Sequence, residues 1–226
     1  MARKPKAIFF DVGNTLLFPN RDVILTPLRE QAAEPSLGLW HSIERRTKKQ
    51  FDSEMEGGHA DHGFWFLFYT NLLSEMDIDD QALRDKLVEA TRISANWGNI
   101  RPGTRENLNR IGKQYRIGVI SNADGKITPL LAQNGIADCF LAIVDSGIVG
   151  YEKPHPAIFE SALREMDASA EETLYVGDVH CVDYVGATRA GMQAVLFDVC
   201  GAYRDSGLPR VESLDGLDRL LESRQS

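Results

Sequence analysis

Five short apolar runs in this chain each break off at a polar residue, and that pattern constrains the fold more than any other feature. Ala7–Phe10 stops at Asp11, Ile117–Ile120 at Ser121, Phe140–Val144 at Asp145, Leu174–Val176 at Gly177-Asp178, and Ala194–Phe197 at Asp198. Short continuous apolar runs suit strands buried on both faces, as in a parallel sheet. Amphipathic stretches lie between them. Residues 104–114 read as a helix that Thr104 can cap, with Leu108 and Ile111 on one face. Residues 126–134 and 182–190 each run to a glycine, Gly135 and Gly191, where a left-handed helix end is expected. Residues 156–166 turn Ile158, Phe159, Ala162 and Leu163 inward, and a last helix over 213–222 groups Leu214, Leu217, Leu220 and Leu221. Strand and helix alternating from 104 to 198 predict an α/β fold, a doubly wound parallel sheet with helices on both faces. Ligands of such sheets bind outside the carboxyl ends of the strands. Four of the five ends here carry Asp and the fifth carries Ser.

Residues 17–100 break this rhythm and hold no convincing strand. Residues 40–56 are charged and helical, 63–76 (GFWFLFYTNLLSEM) form a dense aromatic helix, and 79–97 read as a third helix capped by Asp79 or Asp80. The expected organisation is an all-helical insert, residues 17–100, in an α/β domain made of 1–16 and 101–226. Gly57-Gly58 and Arg101-Pro102-Gly103 are the expected turns or hinges. A chain of 226 residues has room for such a core plus an extra piece. The formal charge of −8 excludes the basic footprint of a general nucleic-acid or anionic-membrane binder. The longest apolar run outside the strands, Phe64–Tyr69, is far too short to span a membrane. The four apolar residues behind the basic start are too few for a secretory leader. Cys139, Cys181 and Cys200 are odd in number and lack ligand spacing, so reduced thiols in a cytoplasmic protein are expected.

Four segments at predicted strand ends carry chemistry: Asp11-Val-Gly13-Asn-Thr15, Ser121-Asn122, Lys153-Pro154, and Gly177-Asp178 followed by Asp183. In this order, together with 117–123 (IGVISNA), 147–159 (GIVGYEKPHPAIF) and 174–191 (LYVGDVHCVDYVGATRAG), the sequence resembles haloacid dehalogenase-like (HAD) superfamily hydrolases of the branch with a helical cap between the first and second motifs. The resemblance implies a Rossmann-like core and a Mg²⁺-dependent phosphohydrolase acting on a small phosphorylated metabolite. It makes Asp11 the nucleophile that forms an aspartyl-phosphate. Thr15 and Ser121 would hydrogen-bond the phosphoryl oxygens, as would the Asn122 backbone, and Lys153 would neutralise charge. Asp11, Asp178 and the Gly13 carbonyl would hold Mg²⁺, with Asp183 orienting its waters or Lys153. Hard oxygen donors suit that ion.

Gly13 departs from the pattern. The family's phosphatases carry a second Asp there, acting as general acid and base, a contribution of about 10²–10⁴ in rate. His155, His180 and Asp124 are the candidate substitutes near the motifs. The departure leaves other readings open: a 2-haloacid dehalogenase, whose halide needs no proton but which lacks the Asp178/Asp183 pair, or a catalytically weak scaffold using its aromatic cap. A phosphonate-cleaving enzyme would need a cap lysine, and Lys48, Lys49 and Lys86 are present without marking neighbours.

Overall fold

The computed structural model describes residues 4–58 and 63–223. Strands β1 (Ala7–Phe10) and β2 (Leu17–Phe18) come first, followed by helices α1 (Arg21–Ile24), α2 (Thr26–Arg29), α3 (Leu37–Glu56), α4 (Phe64–Glu75) and α5 (Gln81–Arg92). Next are β3 (Asn99–Ile100), α6 (Thr104–Gly112), β4 (Arg116–Ser121), α7 (Ile127–Gln133), β5 (Ala142–Asp145), α8 (Ser146–Val149) and α9 (Pro156–Glu165). The chain continues through β6 (Thr173–Gly177), α10 (Val185–Arg189), β7 (Gln193–Phe197), β8 (Arg210–Val211) and α11 (Leu214–Ser223).

Six strands form one parallel sheet in the order β5-β4-β1-β6-β7-β8. β1 lies at its centre, with Phe10 opposite Val119 on one side and Val176 on the other. Asp11 therefore emerges between the ends of β4 and β6, at the switch point where such sheets bind ligands. All four residues of β1 are buried, which explains why the run carries no alternating polar residue. Its side chains feed two cores. Ile8 and Phe10 pack with Leu108, Leu130 and Leu217 on one face, and Phe9 packs with Ile158, Phe159 and Ala187 on the other.

The sequence expectation omits β8, whose two residues form no apolar run. They become a strand by pairing with Leu196 and Phe197. At α6 the cap is Gly103, with φ 79°, and Thr104 is the first helical residue, so Thr104 does not cap. The insert is not wholly helical either. β2 and β3 pair antiparallel, Leu17 with Ile100 and Phe18 with Asn99, joining its entry to its exit. Within it, α3, α4 and α5 pack around Trp40, Phe68, Tyr69, Leu72 and Leu87. Asp80 caps α5 by accepting the Leu83 N–H at 2.9 Å. Among the described residues no helix is long and apolar enough to cross a membrane.

Candidate active site

Lys153 organises the site. Its Nζ lies 2.7 Å from Asp11 Oδ1, 2.7 Å from Asp183 Oδ1 and 2.7 Å from the Tyr175 hydroxyl, which uses all three ammonium hydrogens. The Tyr175 hydroxyl donates in turn to Asp183 Oδ1 at 3.0 Å. Lys153 sits on the loop after α8, and Asn122 at the end of β4 pins that loop. Asn122 Oδ1 accepts the Lys153 N–H at 2.7 Å, and its Nδ2 donates to the Lys153 carbonyl at 3.0 Å. The Asn122 side chain is thus committed to positioning the lysine.

Asp178 follows β6, and Asp183 folds back beside it. Asp183 Oδ2 accepts the Val179 N–H at 2.9 Å, and its own N–H donates to the Val179 carbonyl at 2.8 Å. A Cβ on Gly177 would lie 2.5 Å from the Asp183 carboxyl carbon, so this close approach requires glycine. Asp11, Asp178 and Asp183 are all buried and bring carboxylate oxygens within 4.8 Å of one another. Burial pushes the Asp11 carboxyl up to about 7; Lys153 pulls against this, while Asp183 and Asp178 add to it. Burial also raises Asp178 to about 6, against the pull of Lys48.

The insert reaches into this cluster. From α3, Lys48 Nζ lies 2.8 Å from Asp178 Oδ2 and 3.0 Å from Glu44 Oε1. On the same helix, Asp52 accepts the Cys181 N–H at 2.8 Å, and Arg45 donates to the Cys200 carbonyl at 3.0 Å. One helix face thereby docks the insert on the loops that follow β6 and β7.

The residues present fit a divalent cation. Two ammonium groups face four carboxylates across Asp11, Asp178, Asp183 and Glu44, a formal deficit of two positive charges. Asp178 Oδ2 is buried without an aligned hydrogen-bond donor, despite the nearby lysine. Hard carboxylate oxygens of this kind suit Mg²⁺. Thr15 Oγ1 is likewise buried and unpartnered. Ser121, Gly13 and Asp11 line a cleft of about 640 Å³, and Thr15 is not among the residues that line it.

The other two acidic strand ends serve structure instead. Asp145 accepts the N–H groups of Gly125, Ile127 and Gly147, at 2.9–3.1 Å. Asp198 accepts those of Ala202 and Tyr203 at 2.7 and 3.0 Å.

A family model described as haloacid dehalogenase-like hydrolase matches residues 5–191. The chain belongs to that family. It is 32% identical over 201 residues to a glyceraldehyde 3-phosphate phosphatase of Methanothermobacter thermautotrophicus, covering 84% of each chain. It is 45% identical over 209 residues to a glyceraldehyde 3-phosphate phosphatase of Methanopyrus kandleri, covering 84% of this chain and 82% of that one. The fold is shared with a HAD-hydrolase of Bacillus subtilis whose crystal structure is bound to magnesium, at a TM-score of 0.69 and 18% identity, with 97% and 99% of the two chains covered.

In this HAD hydrolase the four sequence-selected segments converge on one cleft, whereas the candidate substitutes for an acid at position 13 do not all reach it. His155 caps α9, accepting the Ala157 N–H at 3.2 Å and stacking on exposed Tyr151. His180 stacks on Tyr184 and does not line the cleft. Asp124 does line it. Burial would raise its pKa, but the Ser94 hydroxyl and Lys126 outweigh that and hold the carboxyl below its ordinary range, as an anion. Sequence reading missed Tyr175, Glu44 and Asp52, and it left Lys48 undistinguished from Lys49 and Lys86. The one local signal is the Glu44/Lys48 spacing on a helix, which is common on exposed faces.

Proposed function

We propose that this chain is a Mg²⁺-dependent phosphohydrolase of a small phosphorylated compound, working through an aspartyl-phosphate on Asp11. The observation that carries the reading is the pairing of Asp11 with Lys153, beside a buried carboxylate cluster and an unpartnered Thr15 hydroxyl. The names of the relatives, glyceraldehyde 3-phosphate phosphatases, support the reaction class. We take residues 17–100 as the cap and 1–16 with 101–226 as the core.

Lys153 keeps one Asp11 oxygen oriented and leaves the other to attack phosphorus in line. Thr15, Ser121 and the Asn122 backbone hold phosphoryl oxygens, and Lys153 offsets their charge. Asp11, Asp178 and the Gly13 carbonyl would hold the cation, with Asp183 ordering Lys153 beside it. Bound there, Mg²⁺ supplies positive charge to the phosphoryl oxygens and lowers the Asp11 pKa. Water then hydrolyses the acyl phosphate, returning the Asp11 carboxylate.

The test is Mg²⁺-dependent phosphate release by the full chain, with trapping of phosphate on Asp11. Asp11→Asn should abolish both while the protein stays folded. Metal-independent halide release from a 2-haloacid would establish a dehalogenase instead. No turnover of any phosphate at millimolar Mg²⁺ would leave a scaffold.

A further inference from the structure

The cleft in front of Asp11 is walled by aromatic rings. Phe51 of α3, Phe64 and Trp65 of α4, and Trp97 just before β3 all line it. They meet edge to face, with centroids 5.8 Å apart for Phe51–Phe64, 5.1 Å for Phe64–Trp65 and 5.5 Å for Trp65–Trp97. Burial divides α4 between two tasks. Phe68 and Tyr69 are fully buried in the cap core, whereas Phe64 and Trp65 pack against that core and stay partly exposed on the cleft.

Trp97 connects this wall to the departure at position 13. A Cβ on Gly13 would lie 3.3 Å from Trp97 Cζ3, with two more ring atoms within 3.8 Å. The indole is held there by its Nε1–H, which donates to the Thr91 carbonyl at 2.7 Å. The position that lacks a carboxylate is therefore the position against which an aromatic ring is packed. A side chain at position 13 would press on this indole and require the ring to give by a few tenths of an ångström.

We infer that the substrates are aryl phosphates, whose leaving ring is received by Trp97, Trp65 and Phe64. The inference rests on the phosphohydrolase reading and names its substrate class. A cleft of about 640 Å³ has room for such a ring beyond the phosphoryl group. The chemistry agrees with the missing acid. An Asp11 oxygen forms the new bond to phosphorus, and the phosphorus–oxygen bond to the ring breaks with its electron pair on the phenolate. A phenol titrates near 10, well below an alkyl alcohol, so the phenolate departs without a proton and collects one from solvent. Water then adds hydroxide to phosphorus and releases its other proton, and the acyl-phosphate bond breaks to phosphate and the Asp11 carboxylate.

The experiment compares kcat/KM of the full chain with Mg²⁺ on phenyl phosphate, 4-nitrophenyl phosphate, acetyl phosphate and glycerol 3-phosphate. Acetyl phosphate has a good leaving group without a ring, so it separates ring recognition from leaving-group ability. Both aryl esters should exceed the other two. Trp65→Leu should raise KM for phenyl phosphate and lower the phenyl-to-acetyl ratio by about three- to tenfold, the range of one aromatic contact. Phenylphosphonate, which is not turned over, should bind more tightly than methylphosphonate by a similar factor, read by tryptophan fluorescence. Acetyl or glycerol phosphate turned over as well as phenyl phosphate, or equal binding of the two phosphonates, overturns this inference alone. Release from none of the four phosphates refutes the phosphohydrolase reading and this inference with it.

Discussion

Lys48, carried by α3 of the insert, places its ammonium 2.8 Å from Asp178 Oδ2 at the end of β6, and both side chains are buried. A cation from one part of the fold thus lies against a carboxylate of the other, at the cluster best suited to a divalent ion. Lys48→Met keeps the aliphatic stem and removes the charge. The metal-free variant should lose about 3–5 kcal/mol in urea denaturation, the usual cost of breaking a buried pair and leaving its acids uncompensated. Its Mg²⁺ affinity, measured by calorimetry, should rise by about tenfold or more, since a positive charge beside the cluster is gone. Unchanged or weaker Mg²⁺ binding would show that Lys48 and the ion do not share Asp178.

Gly13→Asp tests whether a missing acid limits the rate. The backbone there is not left-handed, so the new side chain requires only that the Trp97 ring give way by a few tenths of an ångström. The substitution should raise turnover of alkyl phosphates relative to aryl phosphates by about 10²-fold, the lower end of general-acid help. Equal changes for both ester classes would exclude a missing acid as the cause.

Metal-free stability should fall as pH rises. Asp11 and Asp178 have folded pKa values of about 7 and about 6, above their ordinary 3.8. The folded protein therefore holds protons that the unfolded chain releases. That stabilisation is complete below about pH 4 and lost progressively up to about pH 7. Thermal melts in EDTA should decline between about pH 4 and 7, and Asp11→Asn should flatten the decline. A rise over the same window would contradict the burial of these two carboxylates.

Tyr175→Phe removes the hydroxyl that joins Lys153 to Asp183 and leaves the ring in the core. Lys153 then keeps two carboxylate partners but loses its third contact. We expect kcat to fall by about tenfold with little change in KM, because the lysine still binds phosphate but is held less firmly. A rise in KM alone would mean that Tyr175 serves binding instead.

The reach of sequence reading varied with how local the cause was. β1, β4, β6 and β7 were legible because each is buried on both faces and so appears as an apolar run. β8 was not, because two residues become a strand only by pairing with β7. The ribbon of β2 and β3 was missed for the same reason: its two pieces lie some eighty residues apart. The four motif segments were legible because strand ends are read in order along the chain. The difference between Asp11 and Asp178 on one side, and Asp145 and Asp198 on the other, was legible only from the order and composition of the motifs, not from the apolar runs themselves. All four follow apolar runs, and only the loops around them decide which accept backbone N–H groups and which face the cleft.

By itself the sequence determined the α/β class, the helical character of the insert, the family motifs and the absence of a carboxylate at position 13. These follow from periodicity and side-chain identity, which act over a few residues. The tertiary structure alone decided that Lys48 rather than Lys49 or Lys86 meets Asp178, and that Tyr175 completes the shell of Lys153. It also decided that Trp97 occupies the space beside Gly13. Each of these contacts joins segments far apart in the chain. They exist only because the central place of β1 in the sheet and the docking of α3 bring those segments to one point.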